Sequence, residues 1–188
     1  MEISHDLIKE HGRILQGLEY LSVARHALEK NLHPPKKFFE TSVRFFREYA
    51  DKFHHYKEEY LLFSFLARKK EGAIDLEMGS LRYQHELNRS CISKIVKSLN
   101  GYDMESEIAV TTLLVNLSSF ISILSRHIFR EDYLFFPMAE AELSEGEKKI
   151  LRQQFKQEEE TVGGKKAITR NETLLQEMAA LISAFRQH

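Results

Sequence analysis

His54-His55-Tyr56-Lys57-Glu58-Glu59-Tyr60-Leu61-Leu62-Phe63 is a phrase this chain uses twice. It returns as His127-Ile128-Phe129-Arg130-Glu131-Asp132-Tyr133-Leu134-Phe135-Phe136, and both copies read His-x-x-x-Glu-acid-Tyr-Leu-x-Phe. The two histidines are 73 residues apart, as are Glu58 and Glu131. A lone histidine precedes each copy, His11 and His85, at a separation of 74. Two half-sites, each with one lone His and one His-x-x-x-Glu pair, are what a symmetric two-metal centre needs.

Residues four apart on an α-helix share a face. His54 and Glu58 continue the stripe Phe46, Ala50, Phe53, Leu61, Phe65, whereas His55 and Glu59 continue the polar stripe Arg44, Glu48, Lys52. The pattern therefore predicts His54 and Glu58 pointing inward and His55 and Glu59 outward. In the second copy, His127 and Glu131 continue Leu113, Leu117, Phe120, Ile121 and Leu124, and Asp132 continues Ser118, Ser122 and Ser125. Burying a carboxylate without a partner costs several kcal/mol, and two facing one another cost more unless a cation lies between them. Imidazole and carboxylate together suit Fe, Mn or Zn, and carboxylates can bridge two ions. A single His-x-x-x-Glu is ordinarily a helix-surface pair, and a lone apolar-face histidine is ordinarily a core residue. The register of all six, His11, His54, Glu58, His85, His127 and Glu131, makes them the candidate metal ligands.

The surrounding chain reads as helices. The first begins near Ser4 or Asp6 and runs to about Asn31, with Leu7, His11, Ile14, Leu18 and Leu21 inward, and Pro34-Pro35 ends it. A second covers about 35–68, a loop 69–73, a third about 75–99 with Met78, Leu81, His85, Ile92, Ile95 and Leu99 inward, and Asn100-Gly101 a helix stop. The fourth, about 104–141, is very apolar, with Pro137 near its end. Ser144 and Glu147 form a capping-box pattern for a fifth helix, and Gly163-Gly164 separates it from a sixth at about 171–185. The expected fold class is all-α: an up-down-up-down four-helix bundle over residues 1–142, with one or two additional C-terminal helices over 143–188 packed on or beside it.

Composition narrows the function classes. At 188 residues, 43% hydrophobic, with 3 Pro and 8 Gly, the chain can bury one core and favours long helices. A formal net charge of −1 gives no pull toward nucleic acid or an anionic membrane. Cys91, the single cysteine, excludes an internal disulfide and reads as a small buried hydrophobe. The start of the chain lacks a signal-peptide pattern and no apolar run approaches the ~20 residues of a bilayer span, so the reading is cytoplasmic and without membrane. Lys69-Lys70, Lys165-Lys166, His5, His26, His33 and His188 read as solvated, Tyr60 and Tyr133 as packed, and Glu2-x-x-His5 as incidental. There is no Gly-rich phosphate loop, Ser/His/Asp order or Cys-His zinc spacing.

At the paired phrases the chain resembles the hemerythrin-like (HHE cation-binding) family of non-haem di-iron four-helix bundles, over about residues 4 to 140. That resemblance implies two Fe ions, carboxylate- and oxo-bridged, with Zn or Mn as substitutes. It implies Glu58 and Glu131 as bridges, His11 and His54 on one ion, and His85 and His127 on the other. The chain departs from the oxygen carriers at Leu81, where they place one more histidine. They also use an aspartate at the place of Asp132, whereas the internal repeat favours Glu131. A more symmetric, less saturated site resembles instead the di-iron proteins of iron–sulfur cluster repair and nitric oxide response, without their small cysteine-bearing N-terminal domain. The implied function is a di-iron binding protein handling O2, NO or peroxide, or iron itself, by sensing, scavenging, storage or donation. A di-iron oxidase, peroxidase or NO reductase, and a metal-stabilised interaction module, are the alternatives; a homodimer or a protein partner would use the C-terminal helices.

Overall fold

Helix punctuation in the sequence becomes six rods in the computed structural model, which describes residues 3–69, 72–103 and 106–187. Helix α1 spans Ser4–Glu29. It ends in a Schellman turn: Leu32 N–H donates to the Ala27 carbonyl at 2.9 Å and Asn31 N–H to that of Leu28 at 3.0 Å, with Asn31 at φ +55°. Pro34-Pro35 then reverses the chain into α2, residues 36–69. Helix α3 is Gly72–Tyr102 and α4 is Glu107–Glu142. Two further helices, α5 (Glu145–Thr161) and α6 (Gly164–Arg186), complete the chain, and the described residues contain no strand. Ser144 caps α5 with the expected box, accepting from Glu147 N–H while the Glu147 carboxylate accepts from Ser144 N–H.

Helices α1 to α4 form the bundle, α1 packing on α2 and α4, and α3 on α2 and α4. Their apolar residues make two clusters with a polar layer between them. One runs from Ile14 to Leu28 on α1 with Phe38 to Phe53, Ile92 to Leu99 and Leu113 to Ile128, and it takes in Leu174, Leu175, Met178 and Ile182 of α6. The other gathers Leu7, Leu62, Phe63, Leu66, Met78, Leu81, Phe135 and Phe136 with Leu151 and Phe155 of α5. His11, His54, His85 and His127 lie in the layer between. Gly17 lets α1 approach α2: a Cβ there would stand 2.8 Å from Phe45 Cε1.

Helix α2 is not regular. Phe46–His55 and Lys57–Leu62 are wide π-helical turns, and so is Glu131–Phe135 in α4. A π turn bonds i to i+5, so residues five apart come into line instead of four. This changes the face read from the sequence. Leu61 and Phe65 are only half-buried, while Leu62, Phe63 and Leu66 form the core. Pro137, without an N–H, follows the π turn of α4 and the helix continues through it to Glu142.

Other expectations shift as well. Asn100-Gly101 does not stop α3; the missing Cβ of Gly101 lets Ala109 pack close, since a Cβ there would be 3.0 Å from the Ala109 Cβ. The expected start of the fourth helix at Met104 lies outside the described residues, as do Glu2, Lys70 and His188. The sixth helix begins at Gly164, so Asn171 is a buried mid-helix residue. Tyr60 and Tyr133 are exposed, Tyr60 stacked on Tyr56 and Tyr133 tilted against Phe129. Helix α4 is long and apolar enough, by length and composition, to cross a membrane, which the sequence reading had not expected. It carries Leu113, Leu117, Phe120, Leu124 and Ile128 into the core and leaves Ile108, Val115 and Phe129 exposed.

Candidate metal centre

Each bundle helix brings a candidate ligand histidine to the middle layer, and each of these four rings is held from a neighbouring helix. His11 Nδ1 faces Asp132 Oδ1 at 2.7 Å, and His54 Nδ1 faces Glu10 Oε2 at 2.9 Å. His85 Nδ1 faces Glu59 Oε1 at 2.6 Å, and His127 Nδ1 faces Gln84 Oε1 at 3.1 Å. An oxygen acceptor at Nδ1 makes that nitrogen the N–H donor, which leaves Nε2 as a lone pair. The four Nε2 atoms then meet in pairs: His11 with His54 at 2.8 Å, His85 with His127 at 2.9 Å. Two lone pairs at that distance repel unless a cation or a proton stands between them.

The two glutamates lie among these pairs. Glu58 turns Oε1 to His54 Nε2 at 3.2 Å and Oε2 to His85 Nε2 at 3.6 Å. Glu131 sets Oε2 at 3.3 Å from His11 Nε2 and at 3.1 Å from His127 Nε2. Each carboxylate thus spans both histidine pairs, both are fully buried, and none of their four oxygens is satisfied by a hydrogen bond. Buried carboxylate oxygens without donors, facing converging imidazole lone pairs, form two groups that could hold a metal cation. Phe136 lies parallel to His11 with 5.6 Å between centroids and Phe63 parallel to His85 with 6.4 Å, the same placement in the two halves.

Electrostatics divides the halves. Burial resists charge on His54, but Glu58 and Glu10 overcome it and push its pKa up to about 10. For His11 the burial and the charge of His54 are likewise outweighed by Asp132 and Glu131, and its pKa is raised. His85 goes the other way, held well below the usual histidine range by burial and by His55 and His127. Glu131, despite its burial, is held well below the carboxylate range by His127 and His11.

The six predicted ligands therefore meet in one layer. Two sequence expectations fail beside them. His55 is not outward: its ring is buried, stacked on His85 with 3.8 Å between centroids. One of its nitrogens joins ligand atoms of Glu58, His85 and His127, all within 4.8 Å of one another; His11, His54, Glu58 and Glu131 make the second such group. The cause is the π turn, which aligns His55 with buried Ala50 as it aligns His54 with buried Tyr49. Glu59 and Asp132 are not free outward acids either, since they turn back to hold His85 and His11. Glu10 and Gln84, immediately before His11 and His85, were not singled out by sequence, although their equal placement in the two halves was visible there.

A family model described as the hemerythrin HHE cation-binding domain matches residues 2–139. The chain belongs to this family. No curated protein and no solved structure gives a significant match. The family match covers helices α1 to α4 almost to the end of α4, so α5 and α6 are this chain's addition to the hemerythrin-like bundle. The addition reaches the centre: Lys57, buried, is ion-paired with Glu10 and lies 3.0 Å from Glu159 of α5. Its pull helps to hold the buried Glu10 carboxyl below the usual range, against burial and alongside His54.

Proposed function

We propose that this hemerythrin-like chain is a non-haem di-iron binding protein, with His11 and His54 on one ion, His85 and His127 on the other, and Glu58 and Glu131 bridging. It acts on O2, NO or peroxide, or on iron itself, by sensing, scavenging, storing or donating. The observation that carries the reading is the pairwise convergence of four Nε2 lone pairs on two carboxylates whose oxygens have no hydrogen-bond donor. Bound there, a pair of iron ions would supply one- and two-electron redox chemistry and open positions for a small ligand.

The chain's own residues do the rest. Asp132, Glu10, Glu59 and Gln84 fix the four rings in the Nδ1–H form, so that every Nε2 is a ready donor. Phe63 and Phe136 set apolar rings beside His85 and His11 at corresponding places in the two halves. Glu58 and Glu131 each reach both histidine pairs, so a change of charge at one ion is felt at the other. Metal analysis after anaerobic Fe(II) loading, with absorption spectra before and after air, tests the proposal. Two ions per chain are expected, and zero or one would overturn it. Steady turnover with an added electron donor would move the same centre to the oxidase, peroxidase or NO reductase class.

A further inference from the structure

We propose that Glu159 of α5 is a positioning residue for the metal layer, acting through Lys57 and Glu10 on His54, and that the C-terminal extension is thereby coupled to the occupancy of the centre. This rests on the two-ion reading above and adds to it a part of the chain beyond the family match.

The coupling follows from how α5 docks. Leu151, Phe155 and Glu159 are spaced by four and share one face of that helix. Leu151 and Phe155 join the apolar cluster of Leu62, Phe63 and Leu66, so this face lies on the metal-bearing helix α2. Glu159 continues the face and meets Lys57, whose side chain is only 1% exposed. Lysine is almost never buried unless its ammonium is paired. Here Nζ lies 3.0 Å from Glu159 Oε1, donates to Glu10 Oε1 and stands 4.1 Å from the centre of the Phe53 ring. The other oxygen of Glu10 faces His54 Nδ1 at 2.9 Å. Four side chains from three helices thus make one line, from part-exposed Glu159 to a ligand ring.

The other half of the internal repeat shows what this line replaces. Arg130 stands in the place of Lys57, and Gln84 in that of Glu10. Arg130 is 40% exposed and turns to Glu77 of α3, with its two bonds at 2.7 and 2.8 Å. Gln84 holds His127 as a neutral amide. The buried lysine between two carboxylates occurs on the side where α5 lies.

An ammonium group has three N–H donors, and a buried one is costly when its charge is under-compensated. Without Glu159, one of the two carboxylates that fix Lys57 is gone. Lys57 then holds Glu10 less firmly, and Glu10 the His54 ring. Coupling between two sites is reciprocal: the factor by which the Glu159 contact raises metal affinity is the factor by which bound metal strengthens the contact. Loss of metal therefore loosens the end of α5 that carries Glu159.

Co(II) binding and hydrogen exchange, both on the full chain, test the coupling. Equilibrium dialysis of the wild type is expected to give two sites. Glu159→Gln keeps the shape and removes the charge; it should weaken one site about three- to tenfold, less than the loss of a residue that touches a ligand. In a Lys57→Met background the same substitution should add nothing, because its route to His54 is gone. Lys69→Met removes the 2.8 Å ion pair with Glu147 at the other end of α5 and should leave both sites unchanged. Amide exchange at 155–161 should slow when Co(II) is added to the wild type and should not respond in Lys57→Met; circular dichroism checks that each variant is helical. A wild type that holds fewer than two ions removes the two-ion reading and this inference together. Two ions in the wild type, with Glu159→Gln binding both as tightly, overturns only the coupling. So does an additive double mutant, an equal loss in Lys69→Met, or exchange in α5 that ignores the metal.

Discussion

Removing metal is the perturbation that most directly tests the layer. Without a cation, Glu58 and Glu131 are buried carboxylates whose oxygens lack hydrogen-bond donors, and protons on the facing imidazoles, His54 and His11 among them, offset their charge. Metal that binds only the native state adds stability by mass action, about 4.1 kcal/mol per ion at a free concentration of 1,000 times Kd. Unfolding entropy near 60 °C is about 2.1 cal/mol/K per residue, or about 0.4 kcal/mol/K for a chain of 188 residues. Each ion should therefore raise Tm by roughly 10 °C, and two by roughly 20 °C. Thermal melts at pH 7, followed by circular dichroism with excess Zn(II) or Fe(II) and again with chelator, measure the difference. Equal melting temperatures would mean that the carboxylates are satisfied without metal and that the layer is ordinary polar packing.

Three further outcomes are expected. Glu58→Ala and Glu131→Ala should each abolish stable binding of at least one ion, whereas Glu59→Ala and Asp132→Ala, which remove only the groups behind His85 and His11, should weaken binding by about 10- to 100-fold; equal losses in a dialysis series would contradict the division. Because the folded pKa of His54 is raised to about 10, its contribution to metal-free stability is fully present below the unfolded value and is lost as pH rises through about 10. Chelated protein should thus lose stability between pH 7 and 10, and metal binding at pH 7 should release at least about one proton per chain, measurable by calorimetry in buffers of different ionisation enthalpy; no release would refute the protonated His54. Lys57→Met should cost about 3 kcal/mol in denaturant unfolding, because it leaves Glu10 buried without its cation, and should also loosen the His54 ion; an unchanged midpoint would show that Glu10 is satisfied by His54 alone.

Much of this was legible in the residues alone. Apolar spacing, Pro34-Pro35 and the Ser144/Glu147 box are local signals, and they announced the helices with small errors at most ends and a start seven residues late for the sixth. The six candidate ligands were legible because a duplicated phrase put His and Glu on apolar stripes twice, at one offset, and a buried carboxylate has few explanations. The way Asp132, Glu10, Glu59 and Gln84 hold the rings was not legible, because each acts on a histidine of a different helix and depends on how neighbouring helices cross. Nor was the link from α5 through Lys57 and Glu10 to His54, which joins three distant segments. His55 shows the boundary most clearly. Hydropathy reads a face only when the turn length is known, and the π turns of α2 change that length within a continuous helix. Sequence determined which residues can bind metal and that they come in two halves; the tertiary structure alone decided that one half has an additional histidine facing it.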